Sequence, residues 1–289
     1  MTSVEPRTPL SPMPPSPPAD CQECKRHFLA IAAVVVCLAG CLLVLKVDKD
    51  IIVEEKIEPV VATKLVGLIL ARGGSKGLAR KNLATINNKT LLSRALTAMA
   101  NSNCFDELWV STEDKEIAEE ALKYEANVHQ RPASVAEDNT SSILAVQEFV
   151  ERHPDVRLVG LVQCTSPFIK AQWLREACLM MTSQGYDSVF SAARQKNLRW
   201  EPAENGTVKE LNFNTGERPR RQEWNGELVE NGMFYFATTE LVNQNKLQGG
   251  RVGYVEVPKN YSLEVDTPLD LLMGEALAPI LDPTLDNPD

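Results

Sequence analysis

Residues 68–82 read LILARGGSKGLARKN, an apolar run that breaks abruptly into a glycine-rich, basic loop. Gly73, Gly74 and Gly77 lack the side chains that keep backbone N–H groups away from a ligand. Arg72, Lys76, Arg80 and Lys81 place four cations within ten residues of that backbone. From residue 59 to residue 105 there are seven Lys or Arg and no Asp or Glu, in a chain whose formal charge is −9. Such an electropositive island suits a polyphosphate. The loop matches neither GxxxxGK[ST] nor GxGxxG. A solvated basic turn is the plain alternative, but it does not account for this charge density directly after a buried strand.

The elements around the loop alternate. Residues 65–71 form an apolar run suited to a buried parallel strand, and residues 90–102 carry apolar side chains at helical spacing. The same reading gives strands at 107–111, near 128, at 158–163, 187–192, 233–237, 252–257 and 262–265. Helices are expected at 114–125, 140–152, 171–183 and 269–277, and residues 193–230 read as a polar excursion. The fold class expected is α/β, a Rossmann-like, mostly parallel sheet with helices on both faces. Ligands in such folds bind at the carboxyl ends of the strands.

The 289-residue chain is 44% hydrophobic and 24% charged, which excludes a wholly disordered or collagen-like protein. Its acidity speaks against nucleic acid as a partner. Residues 1–27 form a tail with seven prolines before residue 19. Residues 28–45 contain no charge and would make about 27 Å of helix, enough for a thin bilayer. They are expected to be a transmembrane signal anchor, with residues 46–64 as a stem and 65–289 as the catalytic domain. Four glycosylation sequons, at Asn88, Asn139, Asn205 and Asn260, lie beyond the span and none before it. They favour a single-pass type II protein of the Golgi or another secretory membrane, its catalytic domain in the lumen. Cys104, Cys164 and Cys178 form no Cys/His dyad suited to nucleophilic catalysis. His129 and His153 read as structural.

Taken with RPASVAEDNTSS at 131–142, QCTSP at 163–167, GYDSVFS at 185–191, RPRRQEWNGELVENGMFYF at 218–236 and SLEVDTPLD at 262–270, the basic loop resembles the signature of the CMP-sialic acid synthetases. The resemblance covers residues 65–275. With the membrane segment added, the chain is similar to the secretory form of insects. Animal members often carry a further phosphatase-like domain beyond this region.

The resemblance implies that CTP and a sialic acid are the substrates, CMP being transferred and pyrophosphate released. It implies that Arg72 and Lys81 contact phosphate, with Gly73, Gly74, Ser75, Lys76 and Asn82 beside them, and that Arg131, Asp138 and Ser142 flank the nucleotide. Gln163, Arg221, Asn231 and Tyr235 match the sugar-facing positions. Glu264 and Asp266 occupy the family's Asp-x-Asp metal motif, for Mg²⁺ with Mn²⁺ as the alternative, and Asp266 keeps the family's residue. Carboxylates two apart on a strand end would share one side. Membership also implies a homodimer in which residues 193–230 reach a neighbouring subunit. A secretory glycosyltransferase or a catalytically inactive relative are the competing readings.

Overall fold

A strand buried on both faces sets the architecture. β1 (Leu65–Leu70) is buried over its first five residues, and its pleat sends Leu65 and Ile69 to one face and Val66 and Leu68 to the other. The computed structural model describes residues 63–75, 77–136 and 140–282. The tail, the apolar segment at 28–45, the stem through residue 62, Lys76, Asp138 and the Asn139 sequon lie outside the described residues. No described helix is long and apolar enough to cross a membrane.

After the basic loop come the small hairpin β2 (Thr85–Ile86) and β3 (Lys89–Thr90), then α1 (Leu91–Ser102). β4 (Glu107–Thr112), α2 (Lys115–Leu122) and β5 (Asn127–Gln130) follow, then α3 (Ser142–Arg152), β6 (Leu158–Val162) and α4 (Ala171–Ser183). Side-chain oxygens start two of these helices: Thr90 accepts from the Ser93 N–H, and Asp114 accepts from Glu116 and Ile117. The second half contributes β7 (Ser188–Gln195), β8 (Trp200–Pro202), β9 (Val208–Glu210), β10 (Glu227–Thr238), α5 (Thr239–Asn243), β11 (Val252–Glu256) and α6 (Pro268–Leu281).

Seven strands form one sheet in the order β11-β7-β10-β6-β1-β4-β5. All pairings are parallel except those of β10, which runs antiparallel to both β6 and β7. Leu92, Leu96 and Met99 of α1 and Trp173, Leu174 and Ala177 of α4 cover one face. Val146, Phe149 and Val150 of α3 cover the other. The expected layered α/β fold is therefore present.

Two expectations change. Residues 262–265 are not a strand: they follow a short 3-10 turn, Lys259–Tyr261, and run directly into the Thr267 capping box that opens α6. A backbone bond, Val265 N–H to Thr165 O at 2.8 Å, holds them beside the loop that follows β6. The excursion is also shorter than its polar composition suggests. β7 runs on to Gln195, β10 begins at Glu227, and the intervening segment folds its own β8–β9 hairpin.

Two devices fasten the helices. A disulfide joins Cys104, just after α1, to Cys178 in α4, while Cys164 is buried and free, its thiol pushed up to about 12 by burial. On the other face, His129 Nε2 lies 2.7 Å from Glu148 Oε2, and its Nδ1 lies 3.3 Å from His153 Nε2. The His153 ring packs on Phe149 and Trp109. Burial, then the neighbouring His129, lowers the His153 pKa.

Closing a 74-residue separation in the unfolded chain is worth about 4 kcal/mol on the chain-entropy account. Cys178→Ala, or reduction of the folded chain, is expected to lower Tm by several degrees, measured by thermal melts with and without dithiothreitol. For His153 the folded value lies below the unfolded value of about 6.5. Its contribution is complete above that pH and is lost as pH falls through it. Melts at pH 7.5 and 5.5 should therefore show a drop that His153→Gln reduces.

Candidate active site

The carboxyl ends of β1, β5 and β6 and the start of α3 enclose a cavity of about 310 Å³. Arg72, Ser75, Lys81, Arg131, Ser142 and Gln163 line it. Elements far apart in sequence thus bring most of the expected nucleotide-side residues together.

The loop is braced from beneath. Asn82 is buried, and its Nδ2 donates to the Arg72 carbonyl at 2.8 Å while its Oδ1 accepts from the Cys164 thiol at 3.1 Å. Both ends of that amide are engaged, so Asn82 shapes the loop. Gly73 N–H donates to Glu113 Oε1 at 2.7 Å, and a Cβ on Gly73 would stand 2.5 Å from Asp114 Oδ2. Arg80 adopts a left-handed backbone (φ 55°) and its side chain pairs with Glu116, away from the cavity. Arg131 is buried and donates to the Ser111 hydroxyl at 3.1 Å and carbonyl at 2.7 Å. Burial pulls its pKa down, Glu113 opposes that, and the nearby charge of Arg72 adds to it. A guanidinium in that setting gains from an incoming anion.

The last loop closes over the first. Lys81 Nζ donates to Asp266 Oδ1 at 2.7 Å, 185 residues away in sequence. A Cβ on Gly77 would lie 2.5 Å from the Asp266 backbone oxygen, so only glycine permits this approach.

A second cavity of about 450 Å³ adjoins the first, lined by Gln195, Glu230, Asn231, Tyr235, Lys259 and Glu264. It opens where the register of β10 against β7 shifts between Glu230 and Tyr235, a bulge that turns these side chains out of the ladder. Asn231 Nδ2 donates to Ser262 Oγ at 2.9 Å, tying the bulge to the 262–266 segment. The Tyr235 hydroxyl donates to Glu230 Oε2 at 3.1 Å, and burial followed by that carboxylate pushes its pKa up to about 12. Glu264 stands at the seam between the cavities. Thr165, which lines the first, hydrogen-bonds its carboxylate, while burial and then the Asp266 charge raise its pKa.

Glu264 and Asp266 are thus close enough to repel, although not through the strand alternation expected of them. Among the described residues no group of three or more His, Cys, Asp or Glu gathers as a metal site. Two carboxylates nevertheless fit a hard divalent ion, which takes one or two of them and completes its shell with water and substrate phosphate. A cation there would relieve their mutual repulsion.

Of the sugar-facing candidates, Gln163 lines the first cavity, and Asn231 and Tyr235 the second. Arg221 lies apart, in a cleft with Arg218 and Trp224. Sequence reasoning passed over Glu113, Thr165 and Lys259. The first two sit just past strand ends, at the edge where ligands bind in such sheets, and that position was the available signal.

A cytidylyltransferase family model matches residues 66–280. N-acylneuraminate cytidylyltransferase A of Danio rerio is 44% identical over 211 residues, covering 72% of this chain and 49% of its own length. The N-acylneuraminate cytidylyltransferase of Oncorhynchus mykiss is 39% identical over 214 residues, or 73% of this chain and 49% of that protein. The chain spans about half the length of these curated relatives. A solved structure described as CMP:2-keto-3-deoxy-manno-octonic acid synthetase complexed with CTP superposes with a TM-score of 0.57. It covers 74% of this chain and 98% of that one at 16% identity, a likeness of fold.

Adding a methyl group at Gly77 would push the two loops apart. Overpacking of this kind costs about 1–3 kcal/mol. Gly77→Ala is therefore expected to weaken binding of a nucleoside triphosphate by about ten- to a hundredfold. Equilibrium dialysis checks this, with Tm as the control for folding.

Proposed function

The chain belongs to the cytidylyltransferase family, and from that premise we propose that it transfers CMP from CTP to an N-acylneuraminate and releases pyrophosphate. The observation that carries this reading is the pair of adjoining cavities. One is basic, lined by Arg72, Lys81 and Arg131, the other is polar, and Glu264 of the second is hydrogen-bonded by Thr165 of the first.

The acceptor's anomeric hydroxyl attacks the α-phosphorus of CTP. A new C–O–P linkage forms, the bond to the β-phosphoryl group breaks, pyrophosphate leaves with the electron pair, and the hydroxyl gives up its proton to water. Such transfers depend on positioning and on neutralising charge. Arg72, Lys81 and Arg131 supply cations around the triphosphate, and the backbone at Gly74 and Ser75 lets it approach closely, while Gly73, its N–H held by Glu113, shapes the loop. Asn82 keeps that loop in shape. Lys76, Asp138 and Ser142 belong to the same nucleotide side. Gln163, Asn231 and Tyr235 orient the acceptor. Glu264 and Asp266 would hold a divalent cation, Mg²⁺ or Mn²⁺, which when bound offsets phosphate charge.

The reading extends to the whole chain. Residues 28–45 anchor it in a Golgi membrane as a single-pass type II protein, and the catalytic domain faces the lumen. The uncharged segment, the sequons beyond it and the Cys104–Cys178 disulfide support this, because such bonds persist in oxidising compartments. It also includes a homodimer in which the 193–230 excursion delivers Arg221 to a second copy's acceptor cavity. Exposed Trp200, Val208 and Leu211 on that excursion, and the separation of Arg221 from the cavity of its own Asn231 and Tyr235, support it.

The direct test incubates the full chain with CTP and N-acetylneuraminate and identifies the product by mass spectrometry. CMP-N-acetylneuraminate and stoichiometric pyrophosphate are expected; their absence from folded protein refutes the reading. Protease protection in microsomes tests the lumenal assignment. Arg72→Ala and Lys81→Ala should each lower turnover by about 10²–10³, the usual effect of removing one preorganised charge-stabilising group. In rate-against-metal titrations Asp266→Asn should lose nearly all metal-dependent activity and Glu264→Gln only part of it. An Asp266→Asn variant that titrates like the parent removes the metal from this position.

A further inference from the structure

The segment that carries Glu264 and Asp266 is also held from behind. Val265, which lies between them, is buried with Ile86, Phe168 and Ala278 in a small cluster. Arg94 of α1 borders that cluster, its guanidinium 5.7 Å from the centre of the Phe168 ring. The Arg94 side chain is only 4% exposed, yet it reaches three separate segments. Nε donates to the Pro167 carbonyl at 3.0 Å, Nη1 donates to the Ile86 carbonyl at 3.2 Å, and Nη2 pairs with Asp282 just past α6. Lys170 meets the other oxygen of the same carboxylate. It also donates to the Leu281 carbonyl at 2.9 Å and lies 5.8 Å from the centre of the Tyr261 ring.

These contacts clamp both sides of one joint. Pro167 belongs to the loop of Thr165, whose carbonyl accepts from Val265 and whose side chain bonds Glu264. Asp282 ends the helix that opens at the Thr267 capping box, one residue beyond Asp266. Fourteen helical residues span about 21 Å, so fixing the far end sets the direction of the near end. Gly274, midway along α6, packs on Ile86: a Cβ there would stand 2.4 Å from Ile86 Cδ1. One guanidinium thus keeps the Thr165 loop, the support beneath α6 and the end of α6 in register. Burial lowers the pKa of both Arg94 and Lys170. Removing the Asp282 charge would leave Arg94 buried beside a second cation with no carboxylate between them.

We propose that Arg94, with Lys170 and Asp282, is a positioning cluster that sets Glu264 and Asp266 in the arrangement required to hold a divalent cation. The inference rests on the metal position proposed above. It adds residues that act through α6 and the Thr165 loop and touch neither metal nor substrate. Groups that orient metal ligands in this way change metal affinity about ten- to a hundredfold when removed.

The test uses the full chain and Mn²⁺ alone as the probe, with free Mn²⁺ read by electron paramagnetic resonance well below the Tm of every variant. The parent is expected to bind Mn²⁺, and Asp266→Asn to lose that binding. Asp282→Asn and Arg94→Met should each weaken it about ten- to a hundredfold, and the double variant by little more than the larger single effect. Arg94→Lys, which keeps the charge but cannot span three segments, should restore part of the affinity. Cys178→Ala, which lowers Tm without touching the cluster, should bind Mn²⁺ like the parent. Where Arg94→Met does not fold, Asp282→Asn decides the matter. Folded Asp282→Asn protein with parental Mn²⁺ affinity overturns the inference. So does a loss in Cys178→Ala as large as that in Asp282→Asn, because general loosening then explains both. A parent that binds no Mn²⁺, or an Asp266→Asn variant that binds like the parent, refutes the metal position and the inference with it. Asp266-dependent binding beside indifferent Arg94 and Asp282 variants refutes only the role of the cluster.

Discussion

The bond between Lys81 and Asp266 joins the first loop of the sheet to the last, and the geometry of both cavities depends on that closure. Asp266 brings with it Val265, whose N–H bonds to Thr165, and Glu264, which Thr165 also holds. Val265 is buried among Ile86, Phe168 and Ala278, so the segment is anchored by packing as well as by charge. Without that anchor an ion pair this exposed would contribute little. With it, the pair keeps Glu264 in the lining of the second cavity and Asp266 beside Lys81 of the first.

The electrostatic arrangement follows from keeping cations available in an acidic protein. Arg80 is drawn off to Glu116, while Arg131 is held in place by Ser111 and stripped of water. The cost of that burial is borne by the fold, through the packing of α1, α3 and α4 on the sheet. A ligand that brings negative charge then meets donors whose positions are already set, and little reorganisation is required on binding.

Much of this could be read from the residues, for identifiable reasons. β1 and its loop were legible because an apolar run buried on both faces and a cluster of glycines and cations are both local signals. The layered α/β class followed from the alternation of periods. What escaped was non-local. The 262–265 segment has the apolar alternation of a strand, as in Leu263 and Val265, but no neighbouring strand offers it a ladder; only the tertiary position of Thr165 reveals that. The pairing of Cys104 with Cys178 depends on the contact between α1 and α4. The division of the sugar-facing residues between two cavities arises from the β10 bulge, and nothing in RPRRQEWNGELVENG marks where the register slips.

The reversed direction of β10 carries a further consequence. Because β10 runs against β6 and β7, the end of β7 at Gln195 and the start of β10 at Glu227 lie at the same edge of the sheet. The stretch between them leaves and returns at one doorway, so its length is uncoupled from the core. Lengthening such a loop costs only about 0.6 kcal/mol per doubling. That stretch is therefore open to evolutionary rewriting: insertions or exchanges there could retune assembly and acceptor choice in a descendant protein while the nucleotide-handling half is inherited intact.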